Sequence, residues 1–356
     1  MAREASVRLF GLDKAGQAVS AVTLESGELS ATVLTLGATL QALTAPDREG
    51  RADDIILGHD DVEGYTRSRD FFGVTVGRYA NRIGQGRFEL DGQSYVLDVN
   101  DGVQHLHGGF TGFDTRTWTI EEATPTTVVL SIISPDGDGG YPGELSARAS
   151  YFLAPDGTLT IDLEATTDRP TIVNMTNHAF FNLSGAGIAR AAVEHVLDVD
   201  ADAFTPVDEG LIPIGEIRLV DGGPFDFRSP RRIADGARDG TDLQVLRGRG
   251  YDHNLVLNGP RGALRRAAGL SDPASGRKLE LFTTEAGLQL YSGNFLGGSS
   301  PGKKGRLYRQ GDGVCLEPQT FPDAPNKPHF PSARLDPGQT YRHTIVLKLS
   351  VADIAS

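Results

Sequence analysis

Cysteine is almost absent: Cys315 is the single one among 356 residues. One thiol cannot close an internal disulfide, so no disulfide framework holds this fold. Positive charge is also short, with 34 Lys+Arg against 47 Asp+Glu and a net charge of −13. Nucleic acid and anionic lipid surfaces both call for a basic footprint, so neither is expected as a partner. No apolar run reaches the roughly 18 residues of a membrane span. The opening residues, MAREASVRLFGLDKAG, contain no apolar stretch of signal-peptide length. A soluble, cytoplasmic protein is the expectation. Pro/Ser linkers, internal repeats and composition breaks are missing too, which points to a single domain over residues 1–356. Monomer and homodimer are both compatible with the composition. Helical periodicity is scarce: only Asp60–Tyr65 and Ser229–Ile233 read as short helical turns.

What the chain does have is 44 glycines and 19 prolines, scattered among short runs of Val, Ile, Leu, Thr and Phe. Ala31–Leu36, Gly86–Leu90, Thr127–Ile133, Thr158–Glu164, Ile172–Met175, Asp252–Leu257, Lys278–Thr283 and Thr344–Leu349 read as strands. Leu159, Ile161 and Leu163 interleave with Thr158, Thr160, Asp162 and Glu164, the period of a half-buried strand. Asp91-Gly92, Asp101-Gly102, Asp136-Gly137 and Asp156-Gly157 supply turns. The fold class is therefore all-β, a large sandwich or barrel, with few short helices. Gly259–Gly276, with Arg261, Arg265 and Arg266, and Gly297–Gly313 read as long solvated loops.

Five segments gather polar residues among glycines and aromatics: Gly77–Ile83, His105–Gly109, Asn174–Leu183, Gly250–Asn254 and Cys315–Asp323. Such patches suit a site assembled from strand ends and loops on a rigid scaffold. His105 and His107 would share one face if they lay on a strand, and could then ligate a metal. The alternatives are structural histidines, or a histidine touching a polar ligand. His178 stands among Asn174, Thr176, Asn177 and Asn182, beside Phe180 and Phe181. It reads either as a satisfied buried histidine or as a general acid against an apolar wall. Glu317, in the apolar run Val314-Cys-Leu-Glu-Pro-Gln, must be paired, hydrogen-bonded or perturbed. It is either half of a structural ion pair or a general base. Asp252 could cap a loop or accept two hydrogen bonds from a sugar.

Taken together and in this order, the five segments resemble the aldose 1-epimerase (galactose mutarotase) family over most of the chain. The run from Cys315 to Ser332 is the most distinctive, with Tyr141-Pro142-Gly143 and Gly287–Asn294 as further matches. The resemblance implies a galactose mutarotase-like β-supersandwich, all-β and antiparallel. It also implies a cofactor-free, metal-free interconversion of the α and β anomers of a free aldose such as galactose or glucose. By matching position, Glu317 is the implied general base at the C1 hydroxyl and His178 the general acid at the ring oxygen. His107, Asn81, Arg82, Asp252 and Gln289 are implied contacts to the sugar, while His105 receives no role and Arg78 belongs to the scaffold. Phe180 stands where many members carry Tyr, which removes a hydroxyl from the pocket edge and bears on which sugar is preferred. Gly139 and Ala286 are departures away from the acid and the base.

Three other functions compete. A non-catalytic carbohydrate-binding protein would offer an aromatic platform, yet Trp118 is the single tryptophan and reads as core or strand edge. It would also need neither Glu317 nor His178. A sugar-phosphate epimerase should show an arginine cluster, for which Arg231-Arg232 is the candidate. A sensor that kept the pocket and lost the reaction would not need both proton-transfer residues.

Overall fold

Alternation along the chain decides the largest sheet. In Thr158–Thr167, Leu159, Ile161, Leu163 and Ala165 are buried, and in Tyr341–Val351 so are Tyr341, Ile345, Leu347 and Leu349. The two strands pair antiparallel with Leu159 opposite Leu347 and Ile161 opposite Ile345. Their apolar residues therefore land on one face. The computed structural model describes residues 5–186 and 190–352. Within them this sheet has nine strands, and Tyr341–Val351 lies at its middle, between Thr158–Thr167 and Arg277–Thr283.

A second sheet of six strands runs in the order Phe180–Phe181, Val314–Gln319, Gly287–Tyr291, Asp252–Leu257, Ala201–Phe204 and Arg218–Leu219. A third, of five strands, is an up-and-down meander from Ser6 to Asp54. All three sheets feed one apolar cluster: Val22 and Leu40 from the meander, Leu163 and Leu347 from the large sheet, Leu255, Leu288 and Leu316 from the six-stranded sheet. This is an all-β, antiparallel sandwich: the strand pattern called for a sandwich or a barrel, and the resemblance for the sandwich.

Three short α-helices occur among the described residues. Val62–Arg67 starts where Asp61 caps it by accepting from the Gly64 N–H, close to the expected turn at Asp60–Tyr65. The turn expected at Ser229–Ile233 is not helical. Arg231–Arg232 pairs with Val196 and Leu197 as an edge strand, and the helix begins at Ala234. Leu243–Gly248 was not anticipated, although Asp242 caps it twice. The strand expected at Ile172–Met175 is split into Thr171–Ile172 and Thr176–Asn177, which pair with different partners.

Both basic stretches read as solvated are tied down instead. In the Gly297–Gly313 stretch, Gly297–Pro301 and Leu307–Arg309 form a hairpin. Lys303 there is buried, donating to Gln41 O, Asp54 Oδ2 and Ile56 O. Arg265–Ser271 is a strand of the large sheet, and Arg266 pairs with Asp198 and Glu280. Arg261 pairs with the buried Glu285. No helix among the described residues is long and apolar enough to cross a membrane.

Candidate active site

The six-stranded sheet has two characters. Leu255, Leu288, Leu290, Val314 and Leu316 point into the main core. The residues between them are polar. Asp252 lies opposite Tyr291, Tyr291 opposite Cys315, and Cys315 opposite Phe180. One step along, Asn254 lies opposite Gln289 and Gln289 opposite Glu317. Directly opposed residues share a face, so two rows of side chains stand together on the surface away from the core. Val256 lies opposite Gly287, next to these rows, where a Cβ would meet Asn254 Oδ1 at 2.1 Å. Glycine at that position leaves room for the amide.

Loops cover this polar face and supply the remaining groups. Arg82–Ile83 pairs with His105–Leu106. Just outside that ladder, Asn81 and His107 both adopt positive φ, 68° and 51°. Such conformations in non-glycine residues hold where the surroundings fix them and often accompany function. Gly108 follows at φ +85°, and a Cβ there would meet Gly77 O at 2.0 Å. It lets the His107 loop dock on the Gly77–Ile83 segment. His178 follows the short Thr176–Asn177 strand, and its N–H donates to Val74 O.

The result is an open cleft enclosing about 800 Å³, solvent mouth included. Asn81, Arg82, His107, His178, Phe180, Asp252 and Glu317 all line it. Seven of the eight residues singled out from the sequence are thus brought together. Gln289 stands behind the wall: its Nε2 donates to Asp252 Oδ1 at 2.7 Å, so it braces a carboxylate that faces the cleft. Sequence reasoning missed Arg69, Asp70, Phe71, Asp101, Leu106, Tyr291, Phe295 and Leu296, which complete the lining. Phe71, at φ 60°, lies near-parallel to His178 with ring centroids 5.8 Å apart. Nothing local in Asp70-Phe-Phe-Gly73 marks that conformation. Tyr291 did carry a signal, since period two from Gln289 puts it on the same face.

Polar contacts fix the geometry. His178 Nε2 lies 3.5 Å from Glu317 Oε2, and both side chains are buried. On the other side of the imidazole, Nδ1 lies 3.5 Å from Cys315 Sγ. The His178 ring is near-parallel to Phe180 at 5.0 Å. Arg82 Nε donates to Asp101 Oδ2 at 2.8 Å, and its Nη1 is 3.6 Å from Asp252 Oδ2. Asn81 Oδ1 accepts from the Arg82 N–H, leaving its amide nitrogen free to donate.

Burial sets the proton affinities. It pushes Glu317 well above the usual carboxylate range, with Asp252 adding to the rise and Arg82 opposing it. It pulls His178 down to about 4. His107 is also held well below its ordinary value, by burial first and then by His178 and Arg82. Asp252 is raised by burial against the pull of Arg82 and Gln289. A raised carboxyl beside a lowered imidazole makes both charged forms costly, which favours a single proton shared by the His178–Glu317 pair.

The strand-face metal reading for His105 and His107 fails on geometry. His105 Nδ1 donates to Asp98 O, and its Nε2 accepts from the Tyr141 hydroxyl, so both nitrogens are used. A different group, His107, His178 and Glu317, has one potential ligand atom each, all within 4.8 Å of one another. However, His107 Nδ1 accepts from the Asn81 N–H at 3.1 Å, which places the ring proton on Nε2. A metal-binding histidine donates from its second nitrogen, whereas this one accepts. The donor set suits a hydrogen-bonded ligand better than a metal ion.

Arg78 serves the scaffold: it is buried, and Nη2 donates to Pro142 O and Gly143 O. Trp118 is core. Arg232 pairs with Glu194 and Asp235, and Arg231 lies over Phe227, so neither reaches the cleft.

Known proteins resemble this chain over nearly its whole length. A family model described as aldose 1-epimerase matches residues 20–348. A galactose mutarotase from Bos taurus is 45% identical over 329 residues, 92% of this chain and 93% of the relative. An aldose 1-epimerase from Escherichia coli (strain K12) is 38% identical, covering 92% of this chain and 94% of its own. Among solved structures, a GalM/aldose epimerase homologue from C. elegans superposes with a TM-score of 0.87 at 33% identity, over 94% of this chain and 100% of that one. A galactose 1-epimerase from Lactobacillus acidophilus gives 0.86 at 30%, over 99% and 100%.

Proposed function

This chain belongs to the aldose 1-epimerase family, a mutarotase acting on free aldoses, and from that premise we propose that Glu317 and His178 carry its proton transfers. The observation behind the assignment is the buried pair itself, 3.5 Å apart at the wall of the cleft. The reaction starts from the form of the pair in which its shared proton sits on His178, and ionised Glu317 then takes the proton from the C1 hydroxyl. The bond from C1 to the ring oxygen breaks, and His178 Nε2 delivers a proton to that oxygen. The open-chain aldehyde turns about its C1–C2 bond. The ring oxygen then attacks the other face of C1 and returns its proton to His178. Glu317 protonates the former carbonyl oxygen, and the starting protonation state is restored. The one proton held by the pair suffices, because each turnover takes one and gives one.

Asn81, Arg82, His107 and Asp252 grip the hydroxyls of the sugar in this reading, and Gln289 keeps Asp252 in place. A buried polar group left unpaired is costly, so these contacts also select the sugar. Phe180 adds a wall without a hydroxyl. The sugar-phosphate alternative finds no support: both cleft arginines are already committed to carboxylates.

The assignment of the acid is tested with His178→Asn. The expected result is a fall in kcat of about 10²–10⁴-fold, with KM changed far less. A large rise in KM at unchanged kcat would reduce His178 to a hydroxyl contact.

A further inference from the structure

The charges around the cleft do not balance. Four carboxyl groups line it, Asp70, Asp101, Asp252 and Glu317, against two guanidinium groups, Arg69 and Arg82; Glu317 shares one proton with His178, so that pair is neutral as a unit and three carboxylates remain. Arg69 is spent on other partners. Its Nε and Nη2 donate to Asp114, and its Nη1 donates to Gly109 O. Arg82 is shared between Asp101 and Asp252. Among the described residues, neither Asp70 nor Glu317 is ion-paired to an arginine or lysine; Asp70 Oδ2 accepts from Ser68 Oγ at 2.6 Å. The cleft therefore has an excess of negative charge and no cationic donor to spare. Cations are drawn into such a site and anions are turned away.

We propose that the cleft takes cationic amino aldoses, specifically 2-amino-2-deoxyhexoses with a protonated amine, as substrates alongside neutral aldoses. The inference rests on the reading of Glu317 as the base at the C1 hydroxyl. If Glu317 is within hydrogen-bond reach of that hydroxyl, the substituent on the adjacent carbon, C2, lies within about 6–7 Å of the carboxylate oxygen in any pose, close enough for its charge to be felt. An ammonium there offsets the crowding of Glu317 and Asp252 and favours the ionised form of the base. The other groups facing Glu317 are Arg82, His107, His178, Cys315 and Tyr291. Only Arg82 among them carries a fixed positive charge, and it is already shared. An N-acetyl group removes the cation but also adds bulk at the same position, so D-glucose, with a hydroxyl of similar size there, is the comparison that isolates charge, and the salt dependence confirms it.

The test follows anomer exchange by NMR for D-glucosamine, D-glucose, D-galactose and N-acetyl-D-glucosamine with the full chain, in EDTA, at mildly acidic pH. The expected kcat/KM for D-glucosamine is at least that of D-glucose and about tenfold above the N-acetyl sugar, an advantage that high salt erodes. The advantage should also fade as pH rises through the titration of the amine, with no matching loss for D-glucose. Normal turnover of D-glucose with D-glucosamine at less than about a tenth of it would overturn the proposal. So would salt-insensitive rates equal to those of the N-acetyl sugar. Failure on D-glucose and D-galactose as well would remove the parent reading, and this one with it.

Discussion

His178 and Glu317 are each ordinary residue types placed in an unfavourable medium. Burial makes both charged forms expensive, so the pair keeps a single proton over a wide pH range. A second proton enters only near the His178 value of about 4. The last leaves only at the raised value of Glu317. The rate constant kcat/KM should therefore be bell-shaped, falling below roughly pH 5 and again on the alkaline side, well above the ordinary carboxylate range. A profile rising through the normal Glu range and then flat would show that the carboxylate is not perturbed. The same burial has a stability consequence. A carboxyl with a raised pKa binds its proton more tightly folded than unfolded, so its contribution declines as pH rises from the unfolded value toward the folded one. Glu317→Gln keeps the shape and removes that loss. Its melting temperature should exceed that of the wild type at pH 8 by a few degrees and converge with it near pH 4, which thermal denaturation at the two pH values measures directly.

At the scale of elements, the site is a consequence of strand period and register. Val314-Cys-Leu-Glu-Pro-Gln alternates core and cleft, and its neighbours Gly287–Tyr291 and Asp252–Leu257 do so in phase. The alternation could be read from the sequence, but the pairing of these three strands could not. They lie far apart along the chain, and only register places Asn254, Gln289 and Glu317 side by side. Gln289 came forward through the family resemblance alone, and nothing local in the sequence placed it behind Asp252. The close approach at Gly287 ties this row to stability. Gly287→Ala should cost about 1–3 kcal/mol in urea unfolding, because the added methyl overlaps the Asn254 amide, and it should lower activity with it. Unchanged stability and turnover would mean that the row is loosely held.

For the whole molecule, the sandwich supplies a rigid floor and leaves the loops to complete the cleft. The meander, the large sheet and the floor share one core, so the site inherits the stiffness of all three. Lys303 shows how a distant loop is fastened to that frame. Its ammonium is buried against Asp54 at the meander edge, just beyond the cleft residues Phe295 and Leu296. Lys303→Ala leaves Asp54 without its partner and should cost roughly 3–5 kcal/mol by urea denaturation. A loss below about 1 kcal/mol would place the pair among those of little weight. Composition had suggested a solvated basic loop there, since charge alone does not reveal an ion pair buried by tertiary contact. The long apolar alternations, by contrast, fixed the all-β class early, because a strand period is local. The central claim is that this cleft performs mutarotation with Glu317 as base and without a metal ion. Polarimetry on freshly dissolved α-D-galactose, in EDTA, tests it most directly. The wild type should reach the same final rotation as the spontaneous reaction, much faster, and Glu317→Gln should be slower by about 10²–10⁴-fold. Near-wild-type turnover by the variant, or activity lost in EDTA and restored by a metal, would contradict it.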